Sequence, residues 1–128
     1  METYFNQYQL KREDAIAEII NTLDAEDIVV STTGRFAGVY EQSNQIKGGH
    51  AQDFLTVGGW DMASMIAFGI ALQKKDKRVY CLDGDGAALM HMGGMAFIGK
   101  QKPQNLVHIC LNNEAHESVG GMPRDAWD

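Results

Sequence analysis

An aspartate between two glycines is the feature of this sequence that most directly suggests chemistry. In the stretch "CLDGDGAALMHMGG", an apolar run ends and Asp85 follows, flanked by Gly84 and Gly86. Glycines let the backbone approach a ligand closely. A carboxylate that faces a phosphate is repelled by it unless a divalent cation lies between the two groups. The stretch therefore predicts a metal ion bound beside a phosphate.

A second set of oxygen donors follows the next predicted strand. Mg²⁺ prefers six oxygen ligands, usually from one or two protein side chains, phosphates and water. Asn112 and Asn113 can supply one of these oxygens, and 25 residues separate Gly86 from Asn112, which is enough for one helix and one strand. Either motif alone is typical of a turn. Together, at that spacing, they predict a metal site where two adjacent parallel strands end.

Two other phosphate motifs fit the sequence less well. Gly84 and Gly86 match the first two glycines of G-x-G-x-x-G, but Leu89 occupies the third position and no ribose-binding acid follows a strand about 20 residues on. The run "GMAFIGK" imitates a P-loop, but Gln101 replaces the required serine or threonine and the apolar residues predict a helix interior.

Strands alternate with helices along the chain. The predicted helices are "KREDAIAEIINTLD", "WDMASMIAFGIALQKK" and a segment starting near Ala87, "AALMHMGGMAFIGKQ"; the predicted strands are "DIVVSTTG", "DFLTVGG", "RVYCLD" and "NLVHICLNN". The polar tract "YEQSNQIKGGHAQ" is predicted to be a surface loop or an irregular excursion. This order predicts an α/β fold of three layers, a parallel sheet with helices on both faces, which binds ligands at the carboxyl ends of its strands.

Composition limits the possible classes of function. The 128 residues are 45% hydrophobic and carry a formal charge of −6, which suits one domain with a core. The longest basic cluster is "KKDKR", so we expect no nucleic-acid partner. No apolar run reaches the roughly 18 residues of a membrane span, and the start of the chain lacks the pattern of a signal peptide. We therefore expect a cytoplasmic protein without a membrane partner.

The cysteines and histidines give weaker signals. Cys81 and Cys110 fall in apolar strand-like runs without C-x-x-C spacing or neighbouring histidines, which favours two buried free thiols. His108 alternates within a strand and is interpreted as structural, whereas His91 faces either the core or a ligand. His50 and His116 lie in loops after strands, and His116 is the candidate to approach a substrate because it follows the asparagines directly.

The motif "GDG", 25 residues and then "NN" resembles the metal and diphosphate motif of the thiamine-diphosphate enzymes. The segments "KREDAIAEIINTLDAEDIVVSTTG", "DFLTVGG", "CLDGDGAALMHMG" and "LNNEAHESVGGMP" closely resemble the C-terminal, diphosphate-binding domain of the phosphonopyruvate decarboxylase family. The similarity covers roughly Lys11 to Pro123. Sulfopyruvate decarboxylase subunits are a neighbouring, less close match.

The resemblance implies specific roles for residues of the motif. It makes Asp85 and the Asn113 side chain ligands of Mg²⁺, with a third ligand from the main-chain carbonyl of Ala115. The implied diphosphate-binding residues, which act through backbone groups or lie near the phosphates, are Thr33, Gly34, Gly84, Gly86, Ala87 and Ala88.

The implied contacts with the rest of the cofactor depart from the family pattern. Gly58, followed by Gly59, matches the position whose carbonyl accepts a hydrogen bond from the aminopyrimidine. Trp60 matches the apolar residue that wedges the cofactor into its bent form. Relatives show "GSMGH" where this chain has "GGWDM", so the wedge becomes an indole with Asp61 beside it. The alternative for Trp60 is an aromatic residue of the core.

The implied activity is the decarboxylation of a small 2-oxo acid with an anionic group at its far end, such as phosphonopyruvate. A sulfopyruvate decarboxylase subunit and a non-catalytic cofactor-binding fragment remain alternatives. In the resembled family a catalytic glutamate lies on a separate pyrimidine-binding domain, so we expect a partner domain or subunit and a homo- or hetero-oligomer. We also expect the 1–128 domain to be incomplete at its C-terminus and inactive alone.

Overall fold

The protein is built around a four-stranded parallel sheet. The computed structural model describes residues 10–46, 48–56, 59, 62–113, 115–116 and 122–123. The strands are β1 (Ile28–Ser31), β2 (Asp53–Leu55), β3 (Val79–Gly84) and β4 (Leu106–Leu111), arranged in the order β2-β1-β3-β4. A separate antiparallel pair is formed by β5 (Ala115–His116) and β6 (Met122–Pro123).

Helices cover both faces of this sheet, as the alternating sequence pattern predicted. They are α1 (Arg12–Thr22), α2 (Arg35–Ile46), α3 (Ala63–Gln73), α4 (Asp85–Met90) and α5 (Met92–Gln101). Ile16 of α1 and Tyr40 of α2 pack with Leu82 on one face. Ala67 of α3 packs with Cys81 on the other. The chain therefore has the predicted three-layer α/β architecture.

Strand β3 lies inside the sheet and is buried on both of its faces. Every residue from Val79 to Asp83 is buried, and the strand pairs with β1 on one side and β4 on the other. A strand covered on both faces needs apolar residues at successive positions, which explains why "VYCL" shows no alternation. The acidic side chain at the end of this run, Asp83, is consequently buried.

The polar tract after β1 was wrongly predicted as a loop. Most of it forms the second half of α2, which ends at Ile46. Tyr40 is fully buried and Asn44 is nearly so, whereas Ile46 is exposed. A helix that buries so few side chains shows little apolar periodicity in its sequence, because its polar face meets solvent. The irregular segment is confined to the turn that includes Gly48 and Gly49, both with positive φ.

The helix predicted after β3 begins earlier than expected and is broken. It starts at Asp85 rather than near Ala87, and α4 ends at Met90 before α5 begins at Met92. His91 lies between them with φ −124° and ψ 37°, outside the helical region. Gly94 then packs closely against α3, since a Cβ there would lie 2.8 Å from the Met65 sulfur. The break thus lets α5 approach α3.

The two cysteines differ in their environments. Cys81 is buried, as predicted, and burial together with the nearby Asp83 raises the pKa of its thiol. Cys110 was also predicted to be buried, but it is exposed because β4 forms the edge of the sheet in the part of the chain that the structure describes. His108 pairs with Cys81 across β3 and β4, a neighbour that arises from the strand register.

Among the described residues, no helix is both long enough and hydrophobic enough to span a bilayer.

Candidate functional site

The carboxyl ends of β3 and β4 lie side by side. The two strands are parallel, and Gly84 is paired with Leu111. The residues that follow these two positions are Asp85 and Asn112, so the "GDG" and "NN" motifs leave neighbouring strands at the same edge of the sheet. The predicted adjacency of the two strands is therefore confirmed.

Asp85 is a buried carboxylate in the first turn of α4. Its exposed fraction is 7%, and its Oδ2 atom is buried. Gly86 and Ala87, which follow it in the same turn, are also buried. A carboxylate removed from water is strongly disfavoured unless hydrogen bonds or a cation stabilise its charge. A cation bound beside Asp85 would be one source of this stabilisation.

Gly84 sits at the start of α4 in extended backbone, with φ −100°. Its N–H donates a hydrogen bond of 3.0 Å to the Asp83 carboxylate and so is not available to a ligand. A Cβ added at Gly84 would meet no described atom within 4 Å. Neither backbone conformation nor packing among the described residues requires a glycine here, which is consistent with the close approach of a ligand.

The first turn of α4 offers backbone donors. The first N–H groups of an α-helix have no partners within the helix, and Gly84 provides no side-chain cap to them. Gly86 and Ala87 occupy this turn, which makes them the candidates for binding an anion through the backbone. Ala88 is the fourth residue of α4, so the helical pattern pairs its N–H with the Gly84 carbonyl. Because α4 has six residues, the contribution comes from local N–H groups rather than from a long helix dipole.

Sequence reasoning missed the acid that precedes the motif. Asp83 accepts a hydrogen bond from the His108 ring, with 3.2 Å between Nε2 and Oδ2. Its only signal in the sequence is an acid at the end of a run predicted to be a buried strand. His108, which was interpreted as structural from its place in a strand, is thus in contact with the acid that precedes the motif.

Thr33 and Gly34 reach the same edge of the sheet. Strand β1 pairs with β3, and the Thr32 N–H continues the pairing by donating to the Leu82 carbonyl at 2.9 Å. Thr33 is half-buried and Gly34 is exposed, with φ +94°, immediately before α2 begins. The positive φ explains the glycine, since other residues rarely adopt that conformation.

The remaining predicted site residues follow β2 or β4. Gly59 is half-buried, and its carbonyl accepts a hydrogen bond from the Met62 N–H at 3.1 Å. Asn113 is half-buried just beyond β4. The backbones of Ala115 and His116 form β5. The predictions for Gly58, Trp60 and Asp61, and for the His116 side chain, lie outside the described residues.

Comparison with protein families and curated relatives gives one consistent result. Residues 28–128 match the family described as "Thiamine pyrophosphate enzyme, C-terminal TPP binding domain". The phosphonopyruvate decarboxylase of Streptomyces viridochromogenes is 35% identical over 109 residues, which are 84% of this chain and 26% of the relative. The sulfopyruvate decarboxylase subunit beta of Methanocaldococcus jannaschii is 32% identical over 112 residues, which are 88% of this chain and 57% of the relative.

Solved structures share the fold. A thiamin diphosphate-dependent enzyme from Mycobacterium smegmatis superposes with a TM-score of 0.68 at 19% identity, over 93% of this chain and 24% of that one. The benzoylformate decarboxylase of Polynucleobacter necessarius superposes with a TM-score of 0.71 at 15% identity, over 100% of this chain and 27% of that one. The chain thus spans about a quarter of these structures.

Proposed function

The chain belongs to the thiamine pyrophosphate enzymes, as their C-terminal TPP binding domain, and we propose that it binds thiamine diphosphate and Mg²⁺ as part of a 2-oxo acid decarboxylase. Thiamine diphosphate and thiamine pyrophosphate are two names for the same cofactor. The observation that carries the proposal is the pairing of Gly84 with Leu111, which brings the "GDG" and "NN" motifs to one edge of the sheet.

The donor atoms at this edge suit Mg²⁺. We assign the Asp85 carboxylate, the Asn113 side-chain oxygen and the Ala115 carbonyl as ligands. All three are oxygens, and hard cations such as Mg²⁺ prefer oxygen ligands, with phosphates and water completing the coordination. The burial of Asp85 supports the assignment because a bound cation would offset the cost of removing this charge from water.

The diphosphate would be held by backbone groups around the metal. Gly86 and Ala87 would donate N–H groups from the first turn of α4, with Ala88 beside them, and the open space at Gly84 would admit the phosphates. Thr33 and Gly34 would line the neighbouring strand end. For Gly58 to Trp60, the proposal rests on the family pattern alone, with the Gly58 carbonyl binding the aminopyrimidine and the indole supporting the bent cofactor.

In this scheme the residues of the chain bind and orient, and the cofactor carries the chemistry. Bound thiamine diphosphate supplies an electron sink for the carbon–carbon bond that breaks when a 2-oxo acid loses carbon dioxide. Asp85 and Asn113 would fix the metal and so the diphosphate end of the cofactor. His116 would approach the substrate from the loop after the metal ligands.

Phosphonopyruvate is the substrate that we propose, and it would yield phosphonoacetaldehyde and carbon dioxide. The support is the 35% identity to phosphonopyruvate decarboxylases from two Streptomyces species. Sulfopyruvate is the second candidate, because the sulfopyruvate decarboxylase beta subunits are about as similar. The two substrates differ in the anionic group at the far end.

A partner would complete the active site. The relatives named subunit beta support an assembly with a second kind of subunit. We propose that a pyrimidine-binding domain, on another chain or subunit, supplies the glutamate that acts on the aminopyrimidine. The assembly is then a homo- or hetero-oligomer, and this chain without that domain turns over no substrate. A non-catalytic cofactor-binding role is the alternative.

Metal-dependent cofactor binding tests the proposed site. Calorimetry on the assembled complex should show that Asp85→Ala abolishes binding of thiamine diphosphate in the presence of Mg²⁺. Asp76→Ala, which removes an equal charge from an exposed turn, should bind like the wild type. Equal affinity in the two variants would refute the assignment of Asp85.

Turnover separates the candidate functions. Phosphonopyruvate and sulfopyruvate should each be offered to the complex, with aldehyde and carbon dioxide measured. Preferential turnover of phosphonopyruvate is expected; a preference for sulfopyruvate selects the second candidate. Cofactor binding without turnover of either acid selects the non-catalytic role.

His116→Ala should lower kcat without changing cofactor affinity, and an unchanged kcat would exclude His116 from the site.

A further inference from the structure

Asp83 is a buried acid directly before the proposed metal-binding turn. Its side chain is 3% exposed. One carboxylate oxygen, Oδ1, accepts the Gly84 N–H at 3.0 Å, and the other, Oδ2, lies 3.2 Å from His108 Nε2. An ionised carboxylate only accepts hydrogen bonds, so this contact requires the His108 proton to be on Nε2. The two oxygens of Asp83 thus connect the turn to the neighbouring strand.

The strand register shows what this connection spans. Cys81 of β3 is paired with His108 of β4, and Asp83 is paired with Cys110. The contact between Asp83 and His108 is therefore diagonal across the two strands that carry the "GDG" and "NN" motifs. It joins them two residues before Asp85 on β3 and five residues before Asn113 on β4.

We propose that Asp83 and His108 form a positioning pair for the metal site, and this inference rests on the proposed function. Asp83 orients the Gly84 peptide through its N–H, and His108 holds the Asp83 carboxylate in that orientation. The direction of the chain as it enters Asp85 then depends on a side chain of β4, the strand that delivers Asn113. Hydrogen bonds behind metal ligands commonly have this orienting role.

A second ligand set is the competing explanation. Ligand atoms of Cys81, Asp83 and His108 all lie within 4.8 Å of one another, so they could hold a thiophilic cation such as Zn²⁺. The geometry favours the hydrogen-bonded pair, because Asp83 and His108 are already at hydrogen-bond distance. Burial also raises the pKa of the Cys81 thiol, which favours the protonated form over the thiolate that a metal requires.

The chain offers a matched control at the other end of the sheet. His50 also contacts an acid, with 2.6 Å between its Nδ1 and Asp53 Oδ1. The experiment compares His108→Leu and His108→Gln with His50→Leu. Glutamine keeps an N–H donor that can reach Asp83, whereas leucine fills similar space without one.

Two measurements are made on each variant. Amide hydrogen exchange at Gly84, followed by NMR in protein without cofactor, reports on the turn directly. The apparent Mg²⁺ affinity, measured with thiamine diphosphate in the assembled complex, reports on the site. We expect His108→Leu to accelerate exchange at Gly84 and to weaken Mg²⁺ binding about 10-fold, the usual size of such orienting effects. His108→Gln should keep exchange at Gly84 and the Mg²⁺ affinity close to those of the wild type. His50→Leu should lower Tm without changing exchange at Gly84 or the Mg²⁺ affinity.

The outcomes separate this inference from the proposed function. Exchange and Mg²⁺ affinity that stay unchanged in His108→Leu would show that the pair is only structural and would overturn the inference. If the wild type binds no cofactor, the proposed function fails, and exchange at Gly84 still decides whether the pair orients the turn. Protection of wild-type Gly84 by added Zn²⁺, lost in Cys81→Ser, would overturn the inference in favour of a second metal site.

Discussion

At the amino ends of the sheet strands, polar side chains are held by several partners at once, whereas the carboxyl end of β3 carries glycines and two buried acids, Asp83 and Asp85. Asp53, at the start of β2, accepts hydrogen bonds from Tyr40 at 3.0 Å and Asn44 at 2.7 Å and also contacts His50. Asp85, after β3, lies instead beside backbone that an anionic ligand could approach.

The amino ends are also joined by ion pairs and a bridging amide. Arg78 binds Asp27 through Nε at 3.0 Å and Nη2 at 2.9 Å, which ties the segment before β3 to the segment before β1. Asn105, before β4, donates to carbonyls at the end of α3 and in the turn that follows it. These contacts connect neighbouring elements of the fold.

The two ends of the sheet differ in the role that we propose for them. Networks whose donors and acceptors are satisfied by the protein rigidify the amino ends. The residues proposed to bind the cofactor lie at the carboxyl ends, which is the usual position of ligands in parallel sheets. Substitutions at the amino ends should therefore lower stability and leave ligand binding intact.

The largest effect on stability is expected at Asp53. Asp53→Ala removes the acceptor shared by Tyr40, Asn44 and His50 and leaves buried donors unsatisfied. We expect a loss of about 3 kcal/mol in the free energy of unfolding, measured by urea denaturation. Asp76→Ala in an exposed turn is the control. A variant of normal stability with weakened cofactor binding would reverse the assignment of the two ends.

Substitution of Asn105 should have an intermediate effect on the free energy of unfolding. Its side-chain nitrogen lies 2.9 Å from the Lys74 and Lys77 carbonyls and 3.1 Å from that of Ala71. Asn105→Ala should cost about 1–2 kcal/mol. Asn105→Asp should cost more, because a carboxylate cannot donate to these oxygens and is repelled by them. If denaturation curves show that Asn105→Asp is more stable than Asn105→Ala, the bridging role is contradicted.

Alkaline pH should weaken the Asp53 network through Tyr40. Burial, and then the charge of Asp53, raise the pKa of Tyr40 far above its usual range. In the unfolded chain tyrosine ionises near pH 10, so the folded state keeps the proton longer. The stabilising contribution is complete below about pH 10 and falls as the pH rises further. The slope of stability against pH in that range should be shallower in Tyr40→Phe; equal slopes would show that Tyr40 ionises normally.

The smallest expected effect is a difference in thiol labelling. It compares β3, at the centre of the sheet, with β4, at the edge of its described part. Cys110 on β4 is exposed, whereas Cys81 on β3 is buried with a raised pKa. In the native protein, a thiol reagent should label Cys110 and leave Cys81 unmodified until denaturant is added. Cys110→Ser should abolish native labelling. Rapid labelling of Cys81 would mean that the central strand opens readily.

Parts of this fold could be predicted because their signals are local. The helical spacing of Ile16 and Ile20, and the apolar run of β3, follow from a few consecutive residues, and both elements were predicted correctly. Helix α2 was missed because most of its side chains meet solvent, and its helical state depends on burying Tyr40 and Asn44 against the rest of the molecule. The break at His91 was missed for a related reason, since it accommodates the packing of Gly94 against α3.

The sequence by itself determined the α/β alternation, the glycines around Asp85 and the spacing to Asn112, because periodicity and turn chemistry act over short stretches of chain. Only the tertiary structure decided that His108 reaches Asp83, that Cys110 is exposed and that His50 reaches Asp53. The contact between His108 and Asp83 depends on strand order and register, which arise from hydrogen bonds and packing between distant segments. No local pattern encodes which of two alternating positions on β4 will lie beside Asp83.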